Sequence, residues 1–168
     1  MREASFPIRP LAPHHPICVD ATPTRARLEE RLCSAEAITP ALMADVTENV
    51  CTRLSALGNA AKARLHELIE TGAWMDVVLL LLELELPQWK LRRIVREEDE
   101  WLCAISRHPW LPLELDEIAE ASHENLPLAL LAAFLDAKYM SHKSSDAELL
   151  QSRWCEPTNH LVVCDDFA

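Results

Sequence analysis

The residues able to do chemistry fall into three groups: histidines beside carboxylates, a cysteine–histidine group near the end, and a run of arginines. For acid–base work the available groups are His108 and the pair His123-Glu124, with Asp116 and Glu117 as carboxylates that could orient an imidazole. The His-Glu pair lacks the second histidine of a zinc-protease helix, and Ser106 and Ser122 lack the glycine-flanked turn that strains a nucleophilic serine. No cysteine stands at an evident helix start, where its thiol would be acidified. His123 fits a cap for the last helix better than a catalytic base. A small hydrolase or transferase using His108, His123 and Asp116 is the alternative reading, and it requires that the three converge on one cavity.

Cys155-x4-His160-x3-Cys164 is the cysteine–histidine grouping nearest to metal-ligand spacing. Thiolate and imidazole suit zinc, but a closed site needs four ligands. The fourth would come from Cys103, His108 or the arm that carries His14, His15 and Cys18. A zinc-stabilised binding module is therefore a third reading. No motif implies a cofactor, and with 2 glycines in the chain a phosphate-cradling loop is excluded.

The strongest local signal is basic: Lys90, Arg92, Arg93, Arg96, Arg107 and His108 cluster in a chain whose net charge is -11. Adjacent arginines on a strand can clamp a carboxylate or phosphate by paired hydrogen bonds. The same charges also serve simply to discourage edge-to-edge strand pairing and to answer nearby acids. The overall negative charge excludes a general grip on nucleic acid or anionic lipid, because a phosphate surface would be repelled.

The elements that must hold these residues follow from periodicity. Gln88 to Pro109 alternates apolar and basic residues, turns over on Glu97-Glu98-Asp99-Glu100 and alternates again, which predicts an antiparallel hairpin with strands at about 89–96 and 101–107. An odd-length loop centred on Glu98 sets Val95 against Trp101, Arg93 against Cys103 and Leu91 against Ile105. That register gathers Trp89, Leu91, Val95, Trp101, Cys103 and Ile105 on one face, with Lys90, Arg92 and Arg96 opposite. A tip of four acids without glycine favours a solvated loop over a tight turn.

Everything else reads as helix or tail. Thr22-Pro23 and Thr39-Pro40 each place a capping oxygen before a proline at the first helical position, so helices begin there and run to about 37 and 57. Gly58-Asn59 offers an end and a fresh start before Leu65, Leu68 and Ile69 resume an apolar stripe, which Gly72 closes. Ala73 to Leu86 is apolar nearly all round and predicts a core helix buried on several sides, stopped by Pro87. Asp116 caps a short helical turn through Ala121, and a last helix runs from about Asn125 to Met140. Trp74, Trp89, Trp101 and Trp110 are expected as core or interface anchors.

The expected architecture is thus α+β and mainly α-helical: one helical domain with a β-hairpin over 22–140, a Pro-rich extended or disordered arm at 1–21, and a linker and tail at 141–168. The apolar run at Val77 to Leu82 is bracketed by Asp76, Glu83 and Glu85 and is too short to span a bilayer. Six cysteines without a C-x-x-C pair, and a Met-Arg-Glu start without an apolar signal core, point to free thiols in a cytoplasmic setting.

The segments W-K-L-R-R, E-W-x-C-x-I-S-R-x-P-x-L-P-x-E-L-D and A-S-H-E-x-L-P-L-A resemble a pattern found in short uncharacterised alphaproteobacterial proteins. The resemblance covers about residues 60–140. It implies a bacterial cytosolic protein and brings no activity and no catalytic residue with it. It also implies a glycine at the hairpin tip, where this chain has Glu-Glu-Asp-Glu.

The leading functional expectation is a non-enzymatic protein-binding or regulatory module. Its hairpin would offer Lys90, Arg92, Arg93, Arg96 and Arg107 to another protein, or to a second copy of itself.

Overall fold

The computed structural model describes residues 23–154, with side chains from 25 to 142. The Pro-rich arm and the Cys155–His160–Cys164 group lie outside the described residues. Five α-helices and a three-stranded antiparallel sheet occur in the order α1 (Pro23–Cys33), α2 (Pro40–Asn49), α3 (Asn59–Thr71), α4 (Trp74–Glu85), β1 (Lys90–Glu97), β2 (Glu100–Ser106), β3 (Ile118–His123) and α5 (Leu126–Trp154). The class is therefore mainly helical with a hairpin, as the periodicity predicts, but the hairpin carries a third strand.

Local chemistry sets most boundaries. Thr39 Oγ1 accepts from the Leu42 amide at 3.2 Å with Pro40 opening α2. Gly72, at φ 69°, ends α3 in the left-handed conformation, its amide bonding Ile69 O and the next amide bonding Leu68 O. Asn125 Oδ1 accepts from the Leu128 amide, so Pro127 falls in the first turn of α5 where no donor is missed.

Three expectations are corrected. First, α2 stops at Asn49, well before Gly58, because the chain breaks into a single 3-10 turn at Leu54–Ala56; Gly58 then precedes α3 in extended conformation. The break follows from the Glu85 carboxylate, which accepts from the amides of Arg53 and Leu54 and so starts that turn. Second, the stretch expected as a helical turn through 117–121 is instead strand from Ile118 to His123. Ala119 and Ala121 pack on the core while Glu120 and Ser122 point out, and pairing along β2 gives the marginal two-stranded ribbon a third member. Third, α5 continues through 141–146 to Trp154, since no proline or glycine interrupts it after Pro127. α4 lies in the core as expected, and α5 is the central helix beside it. Leu128, Leu130, Leu131, Phe134 and Ala137 are all fully buried, because α5 packs on β2 and β3 as well as on α4 and α1.

The hairpin register differs at its tip. Glu97 pairs with Glu100, leaving Glu98-Asp99 as a two-residue turn with Glu98 at φ 53°. Arg96 therefore faces Trp101, Ile94 faces Cys103 and Arg93 faces Ala104; Ile94, Trp101, Cys103 and Ala121 share the side that meets the core. Val95 falls on the opposite side with Leu102. The expected Leu91–Ile105 pair does form, because a β-bulge between Leu91 and Arg93 inserts Arg92 and restores the odd register.

One buried ion pair crosses the helical layer. Lys138 Nζ on α5 lies 2.6 Å from Glu85 Oε2 at the end of α4, with side-chain exposures of 5 and 0 %. On α1, Arg25 stacks 4.1 Å over the Tyr139 ring and pairs with Asp136 at 3.5 Å, which ties the first helix to the last.

Two stability measurements follow. Glu98→Gly relieves a left-handed turn residue and should raise unfolding free energy by about 0.5–1 kcal/mol in urea titration. Lys138→Met leaves the Glu85 charge buried with two amides only and should cost about 3 kcal/mol in the same assay.

Candidate interaction site

The sequence-level site residues separate into two places. β2 and β3 are joined by residues 107–117, a connection that runs through a turn closed by the Leu111 amide on His108 O and then a 3-10 turn at Leu113–Leu115. Pro109 and Pro112 preset the backbone of both turns. Asp116 holds the connection to the sheet. Its carboxylate, with no exposed side-chain area, accepts from the His108 amide at 2.9 Å, from the Ser106 hydroxyl and from the Arg92 guanidinium. Arg92 reaches it because the bulge re-aims that side chain, and its second nitrogen donates to Leu111 O at 3.2 Å.

Burial of the Asp116 carboxylate works to raise its pKa. The Ser106 hydroxyl, the His108 amide and the Arg92 guanidinium outweigh that, and the net shift is downward from the ordinary 3.8. Asp116 is therefore ionised and committed to the scaffold.

The other arginines are also answered from within the chain. Arg107 pairs with Glu117 at 2.9 Å and donates to Gln88 Oε1 at 3.3 Å. Arg93 lies 3.9 Å from Glu120 across the outer face of the sheet, over the small Ala104. Arg96 rests 5.6 Å from the centre of the Trp101 ring. Lys90 is exposed at the start of β1. The cluster is thus spread over a bulge, the outer face and a strand end.

What the connection leaves outside is apolar. Trp110 is 75 % exposed, Leu113 59 % and Leu115 70 %, on a backbone pinned at both ends. The His108 ring meets Trp110 edge-on at 5.4 Å, which limits the indole's freedom. Trp89, in contrast, is buried and donates its Nε1–H to Ser141 Oγ at 2.9 Å, while Trp74 and Trp101 pack on the core. Asp116 and Trp110 were legible as candidates; Leu113 and Leu115 were not singled out. The available signal was three large apolar residues between and after prolines in a stretch too short to bury them.

His108, His123 and Asp116 do not converge. His123 stands opposite Trp101 at the tip end of β3, whereas Asp116 precedes Ile118 at the other end, roughly 17 Å along the strand. His123 Nδ1 accepts from the Asn125 amide at 2.9 Å and so helps shape the entry to α5. A cleft of about 200 Å³ bordered by Arg53, Glu85, Trp89 and Ser141, and a more open one of about 520 Å³ bordered by Arg31, Glu36 and Thr39, contain none of the three.

Cys103 is buried, and burial pushes its thiol up to about 11. Burial first, and then the Glu85 charge, push Cys51 up to about 12, so both thiols are protonated at neutral pH. No group of three or more metal-ligating side chains occurs among the described residues, and no helix there is long and apolar enough to cross a membrane.

Because the folded pKa of Asp116 lies below its unfolded value, its network contributes stability above pH about 4 that is lost as pH falls through the lowered value. The protection of the His108 amide, its exchange rate relative to that of an unstructured amide at the same pH, should therefore fall in that acid window. In Asp116→Asn that protection should be lost already at neutral pH, with the α5 amides still protected.

None of the protein-family models, curated proteins or solved structures compared with this chain matches it.

Proposed function

We propose that this chain is a non-enzymatic protein-binding or regulatory module of the cytoplasm whose contact element is the β2–β3 connection. The observation that carries the reading is the exposure of Trp110, Leu113 and Leu115 on a backbone that Asp116 and two prolines hold in place. Of the five large apolar side chains left exposed among the described residues, three lie on this one connection, the other two being Leu79 and Leu91. Scattered apolar residues on a surface are ordinary, but a rigid element that concentrates them is suited to bind, because little conformational freedom remains to be lost on association. Tryptophan is among the residue types most enriched in the few side chains that carry most of the binding energy at protein interfaces, and flanking apolar groups exclude water around it.

The sequence alone pointed to the basic hairpin face. Arg92, Arg93 and Arg107 each have a carboxylate partner in the 116–120 stretch, which supports a structural use for them and moves the contact element to the connection. The separation of His108 from His123 weighs against a shared catalytic cavity.

The test is affinity purification from the native cytosol with the intact chain as bait, against two variants. Trp110→Ser/Leu113→Ser/Leu115→Ser should retain its fold, because these side chains are exposed, and lose the captured partner. Arg93→Glu should keep it. Retention by the triple variant, with circular dichroism unchanged, would remove the proposal.

A further inference from the structure

We infer that the β2–β3 connection docks a short protein segment that combines apolar anchors with lysine or arginine, rather than a second copy of this chain or a lipid surface. The inference rests on the binding role proposed above and adds the chemistry of the partner.

The area argues first. Trp110, Leu113 and Leu115 at their observed exposures offer roughly 400 Å². Two copies meeting through this patch would bury about 800 Å², below the ~1,200 Å² at which stable protein interfaces begin. A linear segment bound transiently needs no more than such a patch.

Charge argues second. Within 107–117, Arg107 is neutralised by Glu117, and Asp116 by Arg92. Glu114 is left exposed between Leu113 and Leu115 with no ion pair among the described residues. The apolar patch is thus interrupted by one unanswered carboxylate, on a chain of net charge -11. A second copy would bring the same negative field and the same Glu114. An anionic bilayer would be repelled, and sinking the two leucines into any bilayer would carry Glu114 toward hydrocarbon. A segment with apolar side chains to meet Trp110, Leu113 and Leu115, and a cation to meet Glu114, satisfies every exposed group at once. Its approach would also be steered by the long-range field.

The experiment is selection of displayed random dodecapeptides on the full-length protein, followed by titration of the enriched peptides against variants and by vesicle co-sedimentation. Expected are peptides with an excess of Lys and Arg over Asp and Glu and at least two large apolar residues. Their affinity should drop about thirtyfold in the Trp110→Ser/Leu113→Ser/Leu115→Ser variant and about threefold in Glu114→Gln. Neutral or acidic enriched peptides that still depend on the apolar triad would overturn the charge inference and leave the docking role standing. Cationic peptides indifferent to the triad would overturn both. Sedimentation with phosphatidylcholine–phosphatidylserine vesicles that the triple variant abolishes would assign the patch to a membrane, and a concentration-dependent dimer that the triple variant abolishes would assign it to self-association; either result overturns the inference.

Discussion

One wholly buried carboxylate, that of Glu85, joins parts of the helical layer that do not otherwise share a covalent reason to align. It accepts from the Leu54 amide at 2.7 Å, from the Arg53 amide at 3.3 Å and from Lys138 Nζ at 2.6 Å. A charge taken out of water is tolerated only when donors replace the lost hydration, and here three do. The leucine-rich faces of α4 and α5 are chemically uniform, so apolar packing alone would accept several relative positions of the two helices. The carboxylate accepts one. By fixing the end of α4 against the middle of α5 and the α2–α3 turn, it sets where Pro87 releases the chain into β1 and therefore where the sheet meets α5.

Asp116 repeats the device at the edge of the sheet, with the opposite consequence. Glu85 gathers elements inward; Asp116 holds an element out. A tight hairpin could have joined β2 to β3, yet the chain runs through two prolines and two turns, and the His108 amide, the Ser106 hydroxyl and the Arg92 guanidinium all meet one carboxylate. The bulge at Arg92 belongs to the same construction, because a regular strand would send that guanidinium to a face of the sheet and away from Asp116. Rigidity of this kind keeps the three large apolar side chains in water, where they contribute nothing to the fold of the monomer.

What could be read from the sequence tracks how local the cause is. Caps at Thr39 and Gly72 and the stop at Pro87 depend on near neighbours, and they were legible. The identity of the central helix was not. α4 has the more continuous leucine run, but α5 gains its burial from the sheet, and β3 is written in Ala, Glu and Ser, which carry little strand signal. The hairpin tip failed because a left-handed Glu98 is locally unfavourable and is imposed by pairing further down the strands. Arg92 and Asp116 were each visible as chemically interesting. Their partnership was not, since it depends on a one-residue bulge and a third strand that leave no periodic trace.

The arginines illustrate how a cluster legible in composition can be drawn into the scaffold. A basic cluster in an acidic chain reads as a surface waiting for an anion, but Asp116, Glu117 and Glu120 are supplied by the segment that folds back beside it. Once those pairs form, the positive charge is spent on orienting β1, the connection and β3 relative to one another. Among the groups left facing solvent at that end of the sheet are an indole, two leucines, the carboxylate of Glu114 and the ammonium of Lys90. On the function proposed above, apolar anchors would set the strength of contact and a negative field its direction.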